Sequence, residues 1–113
     1  MRVSKEKQKK PALDRIIHEP ARLQIISYLA AGDHPVPFTE LSAKLGLTAG
    51  NLSVQLKRLE EAGYLTIAKS FRDNRPLTTV ALTKVGMEAL QSYLQELEEM
   101  ITDLKVVIGS RSR

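Results

Sequence analysis

The sequence predicts a mainly helical chain with a small β wing, an α+β fold in which a helix-turn-helix is followed by a hairpin and a long final helix. Three observations carry this. Two short helical segments, 39–45 and 48–62, meet at a tight turn around Gly46 and Leu47. After Gly63 the apolar period changes from that of a helix to that of a strand, and two alternating runs flank Arg72-Asp73-Asn74-Arg75-Pro76. From Met87 to Ile108 apolar residues then recur at spacings of 3, 4, 3, 4, 3 and 4.

Residues 1–10 lack apolar periodicity and form a basic arm, with Arg2, Lys5, Lys7, Lys9 and Lys10 against Glu6. Pro11 suits the first position of a helix, which Leu13, Ile16 and Ile17 continue on one face. This helix is expected to end near His18, because Pro20 disfavours helix at Glu19. Pro20 opens a second helix with Leu23, Ile26 and Leu29 as its apolar face, Ile25 beside them and Gly32 as its stop. Asp33 to Phe38 is too proline-rich for a helix or a central strand, but Val36 to Phe38 suits a short edge strand. Thr39 is expected to cap the next helix, with Leu41 and Leu45 as core positions and Gly46 as its stop. Ala43 is small enough to let the paired helices cross closely.

Thr48 is a good N-cap for the helix that follows, and Gly63 a good left-handed stop. Leu52, Leu56 and Leu59 form its apolar face. Positions 51, 54, 55 and 58 form the outward stripe, with 50, 53 and 57 at its edges. Gly50 and Ala49 keep the first turn thin, so that this end can press close to a duplex. Asn51, Ser53, Val54, Gln55 and Arg58 are the candidates for base edges. Thr39, Thr48, Lys57, Lys69 and Arg72 are the candidates for phosphates.

Tyr64 to Phe71 alternates as a half-buried strand, and Thr78 to Leu82 is β-branched and reads as its return. The turn between them places Arg72, Asn74 and Arg75 at the tip. A helix-turn-helix followed at once by a basic hairpin is the winged-helix arrangement. Its helix 48–62 suits the major groove and its wing 64–82 the adjacent minor groove, where negative potential favours arginine. Thr83 caps the last helix, about 25 residues or roughly 37 Å long over 84–108. So small a domain cannot bury all of it. Leu90, Leu94, Leu97, Ile101, Leu104 and Ile108 are therefore expected to pack against a second copy. Glu88, Glu96, Glu98, Glu99 and Asp103 make the outer face acidic and turn it away from DNA. The expected organisation is a flexible arm (1–10), a winged helix-turn-helix (11–83), a dimerisation helix (84–108) and a fraying tail (109–113).

Composition bounds the function. The 113 residues suffice for one domain, and 42% are hydrophobic, with three Tyr, two Phe and no Trp, so the core is aliphatic. The net charge of +4 resides in the arm, since the remaining residues hold 12 basic and 12 acidic side chains. Such an arm suits a polyanion, but basic tails also serve solubility, and it does not by itself establish nucleic-acid binding. The absence of cysteine fits a reducing, cytoplasmic setting. No apolar run approaches a membrane span, and no signal-peptide pattern appears. His18 and His34 have no histidine or thiol nearby, there is no phosphate-binding glycine loop, and no nucleophile stands beside a base. The expectation is no enzyme, no metal and no cofactor.

P-A-R-L-Q-I-I-S-Y-L at 20–29, F-T-E-L-S-A-K-L-G-L at 38–47, T-A-G-N-L-S-V-Q-L-K-R-L-E-E-A-G-Y-L at 48–65 and R-D-N-R-P-L-T-T-V-A-L-T-K-V-G at 72–86 together resemble the small MarR/ArsR-type winged-helix regulators. The likeness covers about residues 12–105. It includes an Asp-x-Arg in the wing (Asp73, Arg75), a strand ending in Leu82-Thr83, and Gly86 one turn into the next helix. The resemblance implies that Arg75 reaches the minor groove and that Asp73 helps hold the wing tip. The chain lacks the extended N-terminal dimerisation region of most MarR proteins and the cysteines of metal-sensing and peroxide-sensing relatives. No inducer is implied, and a small-molecule effector of unknown class stays open.

The function expected is a homodimeric, sequence-specific transcription regulator, a repressor by analogy with such folds. It would bind a pseudo-palindromic operator in double-stranded DNA with its recognition helices about 34 Å apart. The alternatives are a winged helix used for protein–protein contact and a sequence-blind architectural DNA binder. The polar outward stripe of helix 48–62 argues against the first, because a protein interface exposes apolar anchors.

Overall fold

The computed structural model describes residues 13–111. Its elements in chain order are α1 (Pro20–Ala31), β1 (Val36–Pro37), α2 (Phe38–Leu45), α3 (Ala49–Glu61), β2 (Leu65–Arg72), β3 (Arg75–Leu82) and α4 (Lys84–Arg111). The antiparallel sheet has the order β1-β3-β2. This is the winged-helix fold expected from the sequence, with α2 and α3 as the helix-turn-helix and β2 and β3 as the wing.

The helix before α1 is corrected where it can be seen. Residues 15–17 form a turn, and the expected start at Pro11 lies outside the described residues, as does the basic arm. The reason is Asp14, whose Oδ1 accepts the backbone N–H groups of Ile16 (2.8 Å) and Ile17 (3.2 Å). A side chain that serves the backbone this way caps one turn and competes with a longer helix. α1 then starts at Pro20 as expected, with the Glu19 carboxylate accepting the N–H of Arg22.

Two further boundaries move. α2 begins at Phe38 with Pro37 as its cap residue, so Thr39 lies inside the first turn and is not the N-cap. The wing turn is tighter than the five residues expected: Arg72 pairs directly with Arg75, leaving Asp73 (φ 53°) and Asn74 (φ 65°) as the two-residue turn. Positive φ at both central positions matches the twist of the paired strands, and Asp and Asn are among the residues that tolerate it. Pro76 is consequently a strand residue, opposite Phe71.

α1 divides the core. Its Ile25 and Leu29 pack with Val36, Leu41, Leu52, Leu56, Leu59, Leu65 and Val80. Its Ile26 packs on the other side with Ile17, Leu90 and Tyr93. α3 is thereby held by three leucines on one face, all of them buried. α4 joins the second cluster through only its first half, and every residue from Glu98 to Arg111 is exposed. The helix also extends through Gly109, where fraying was expected, while Ser112 and Arg113 lie outside the described residues.

One junction ties these parts together. α3 ends in a Schellman arrangement, with Gly63 N–H donating to the Glu60 carbonyl (2.9 Å) and Tyr64 N–H to the Leu59 carbonyl (3.0 Å). Gly63 has φ 82°, a left-handed conformation that glycine adopts without strain. The Tyr64 carbonyl then accepts the N–H of Thr83 (3.0 Å), and the Thr83 hydroxyl donates to the Gly63 carbonyl (2.7 Å). The same hydroxyl accepts Gly86 N–H (2.9 Å), capping α4 as expected. Gly86 lies so close that a Cβ there would stand 2.1 Å from the Tyr64 carbonyl oxygen.

Two outcomes are expected from this junction. Gly86→Ala forces backbone apart and should lower stability by about 1–3 kcal/mol or more, read as a lower midpoint in urea unfolding; an unchanged midpoint would mean that the junction yields without cost. The Tyr64 hydroxyl donates to Asp14 Oδ2 and is pushed up to about 12 by burial and then by that carboxylate. Its folded value lies above its ordinary 10.0, so the stabilisation is complete below pH 10 and is lost as pH rises through about 12. Tyr64→Phe should shrink the alkaline limb of the stability profile, leaving the part from Tyr28, which its hydrogen bond to Glu40 also pushes up. A wild-type profile flat between pH 10 and 12 would contradict the assignment.

Candidate nucleic-acid interface

α3 presents its outward stripe because its leucines leave no other face free. Thr48 caps it with its hydroxyl, which accepts Asn51 N–H at 3.1 Å. Gly50, Asn51, Ser53, Lys57 and Arg58 are exposed, and Val54 is 57% exposed. Thr39 on α2 is also exposed, its hydroxyl not needed as a cap.

Gln55 differs from the rest of the stripe, being half-buried and already engaged. Its Oε1 accepts from Arg22 Nη1 at 2.7 Å, and its Nε2 donates to Asn51 Oδ1 at 3.1 Å. The guanidinium is set in turn by Nε donating to the Ile16 carbonyl at 2.6 Å. Arg22 is absent from the residues expected at the interface. Its partner lies 33 positions away, so no local periodicity connects the two.

The wing supplies the second half of the surface. Ser53 and Lys57 of α3 line one groove with Lys69 and Thr78 of the wing, so the helix flank and the inner face of the hairpin are continuous. Register puts Leu65, Ile67, Lys69 and Phe71 on that inner face. The first two are covered by the core, and Phe71, beyond it, is 76% exposed. Arg72, Asn74 and Arg75 are exposed at the tip. Among the described residues Arg58, Lys69, Arg72 and Arg75 make no ion pair, and Lys57 has only a 3.9 Å surface contact with Glu61. Such exposed pairs contribute little, so these cations can meet phosphate at small cost.

The expected dimer seam is narrower than its spacing suggests. Leu90 is 5% exposed and Leu97 half-buried, because both pack with Ile17, Ile26 and Tyr93 inside the chain. Leu90 is therefore a core residue, a correction to the seam. Tyr93, overlooked because it falls between heptad positions, is buried in its place, its hydroxyl 2.6 Å from His18 Nδ1. Leu94, Ile101, Leu104 and Ile108 are 43–64% exposed, with Met100 and Val107 exposed beside them. Among the described residues no group of His, Cys, Asp or Glu is placed to hold a metal ion, and no helix is long and apolar enough to cross a membrane.

Comparison with known proteins agrees with the fold. Residues 21–101 match the family model described as a winged helix DNA-binding domain. The uncharacterised protein MJ0432 of Methanocaldococcus jannaschii is 31% identical over 91 residues, which cover 80% of this chain and 98% of that protein. A transcriptional regulator homologue from Pyrococcus horikoshii OT3 has a similar structure, with TM-score 0.75 and 34% identity over 92% of this chain and 98% of its own. S. aureus MepR, in a complex with DNA, shares the fold at TM-score 0.65 and 17% identity, covering 97% of this chain and 90% of its own.

Proposed function

The chain belongs to the winged helix DNA-binding domain family and is similar to transcriptional regulators, and from that premise we propose that it acts as a homodimer that reads an inverted-repeat operator. The observation that carries this is the continuous surface made by the exposed polar stripe of α3 and the basic wing. α3 would enter the major groove, with Asn51, Ser53, Val54 and Arg58 toward base edges. Thr39, Thr48, Lys57, Lys69 and Arg72 would meet phosphates, and Arg75 with Asn74 would reach the adjacent minor groove. Repression by competition with polymerase, in the cytoplasm, is the mode the fold suggests by analogy.

The support for a homodimer comes from α4. The apolar stripe that packs on the core in its first half continues unbroken along its exposed second half. Exposed apolar residues scattered singly are ordinary, but a contiguous stripe marks an interaction site. A second copy suits it, because the stripe repeats at heptad spacing and most acidic residues of the helix fall away from it.

Selection of bound sequences from a random duplex library, at two salt concentrations, tests the reading. An enriched inverted repeat with half-sites about ten base pairs apart is expected. Binding without enrichment and with a steep salt dependence would mean phosphate contact alone. No binding would leave the fold to a protein partner. Arg75→Ala should weaken operator binding by about 1–3 kcal/mol, and unchanged affinity would remove the wing tip from the contact. Ile101→Glu with Leu104→Glu puts carboxylates into the stripe and should give monomers by sedimentation. Both positions are exposed in the single chain, so its folding should not suffer. An unchanged mass would place the dimer interface elsewhere.

A further inference from the structure

We propose that Arg22, outside the helix-turn-helix, is a positioning residue for base readout that acts through Gln55 on Asn51; this rests on the DNA-binding reading above.

A side-chain amide has two nearly isosteric ends, an acceptor oxygen and a donor nitrogen. An asparagine at an exposed first turn can turn either end outward, because its terminal torsion is broad and nearly two-fold. A base edge sees opposite chemistry in the two cases. Something must break the symmetry, and only a group without acceptors does so unambiguously. A guanidinium is such a group, always charged and donor-only.

Here the guanidinium is fixed at one side by Nε to the Ile16 carbonyl, 2.6 Å away. Its Nη1 donates to Gln55 Oε1 at 2.7 Å, so the Gln55 amide has its oxygen toward α1 and its nitrogen toward Asn51. That nitrogen donates to Asn51 Oδ1 at 3.1 Å. The Asn51 amide nitrogen is left as the outward end. Every bond in the relay runs in one direction, from a cation in α1 to a donor on the exposed first turn of α3. Among the described residues no carboxylate forms an ion pair with Arg22, so its charge polarises the relay outward.

The relay makes Asn51 a donor. It should select a base with an acceptor in the major groove, guanine O6 or N7, thymine O4 or adenine N7, and disfavour cytosine, which offers only a donor there. Two-point pairing with adenine needs Asn51 Oδ1 as acceptor, and one lone pair of that oxygen is already taken by Gln55. Gln55 itself, on the outward stripe by spacing, serves as the link instead of a second reader.

The test compares wild type, Arg22→Met and Asn51→Ala in the same duplex selection. Methionine keeps an apolar stem and removes every donor. Asn51→Ala identifies the base position that residue 51 reads. Wild type should disfavour cytosine there, and Arg22→Met should flatten that preference by about fivefold or more while leaving other positions and the salt slope alone. In the DNA-free protein the side-chain amide signals of Asn51 and Gln55 should both shift in Arg22→Met. A preference retained in Arg22→Met, or unmoved Asn51 signals, would overturn the relay and leave the operator reading intact. Uniform loss at all positions with a salt slope smaller by about one would make Arg22 a phosphate contact instead. Binding lost only in proportion to unfolding would make it structural. A wild type without base preference would overturn the operator reading, and this role with it.

Discussion

The architecture depends on the contact between the end of α3 and the start of α4. At Gly63–Tyr64 the chain leaves the recognition helix, enters the wing and supplies the carbonyls on which the last helix is seated. Gly86 allows that seat, since any side chain there would collide with the Tyr64 carbonyl. The Tyr64 hydroxyl carries the connection on to Asp14, whose other oxygen organises the turn before α1. One residue thus reports the position of the N-terminal turn, the recognition helix, the wing and the long helix to each other. The core needs this because, among the described residues, its two apolar clusters are joined by α1, the turn at Ile16 and Ile17, Tyr64 and Leu82.

This arrangement explains how a body with balanced charge presents a polar and basic surface. The three leucines of α3 leave its polar side no choice of direction, and the sheet register sends the wing past the same flank. Surface cations there make almost no internal ion pairs. By helical spacing Glu88, Glu96, Glu99 and Asp103 of α4 fall on the side away from its apolar stripe, with Glu98 at the stripe's edge. Charge is sorted by secondary-structure period, without any large difference in overall composition.

Much of this was legible in the sequence, for identifiable reasons. Thr48, Gly63 and Thr83 act locally, so their capping roles could be read from neighbours within a few residues. The leucine spacing of α3 and the change of period after Gly63 are equally local. What escaped was decided at longer range or by competition. Asp14 replaces a helix with a turn because its side chain satisfies backbone donors that a periodicity count ignores. Leu90 and Tyr93 share a face of α4 that serves the core, and heptad spacing cannot distinguish a core contact from an interface between copies. Gln55 lies on the outward stripe by angle, but Arg22 reaches it across 33 positions. The exposure of most candidate side chains was readable; the hydrogen bonds from Arg22 through Gln55 to Asn51 were not.

The sheet is unequal along its length. β1 covers only Val36 and Pro37, opposite Val80 and Thr79. From Lys69 to Thr78 the wing is therefore a bare two-stranded ribbon, and such ribbons are marginal on their own in water. Its base is braced by a third strand and the core, while its tip has neither. The wing is graded in stiffness, anchored at its base beside α3 and compliant at its tip, which under the proposed reading would follow a groove whose width changes with sequence. Opening of the tip costs little locally, so part of the energy of groove contact would be spent on ordering it. A stiffer groove-matching tip would gain affinity for one DNA shape and lose tolerance of the others.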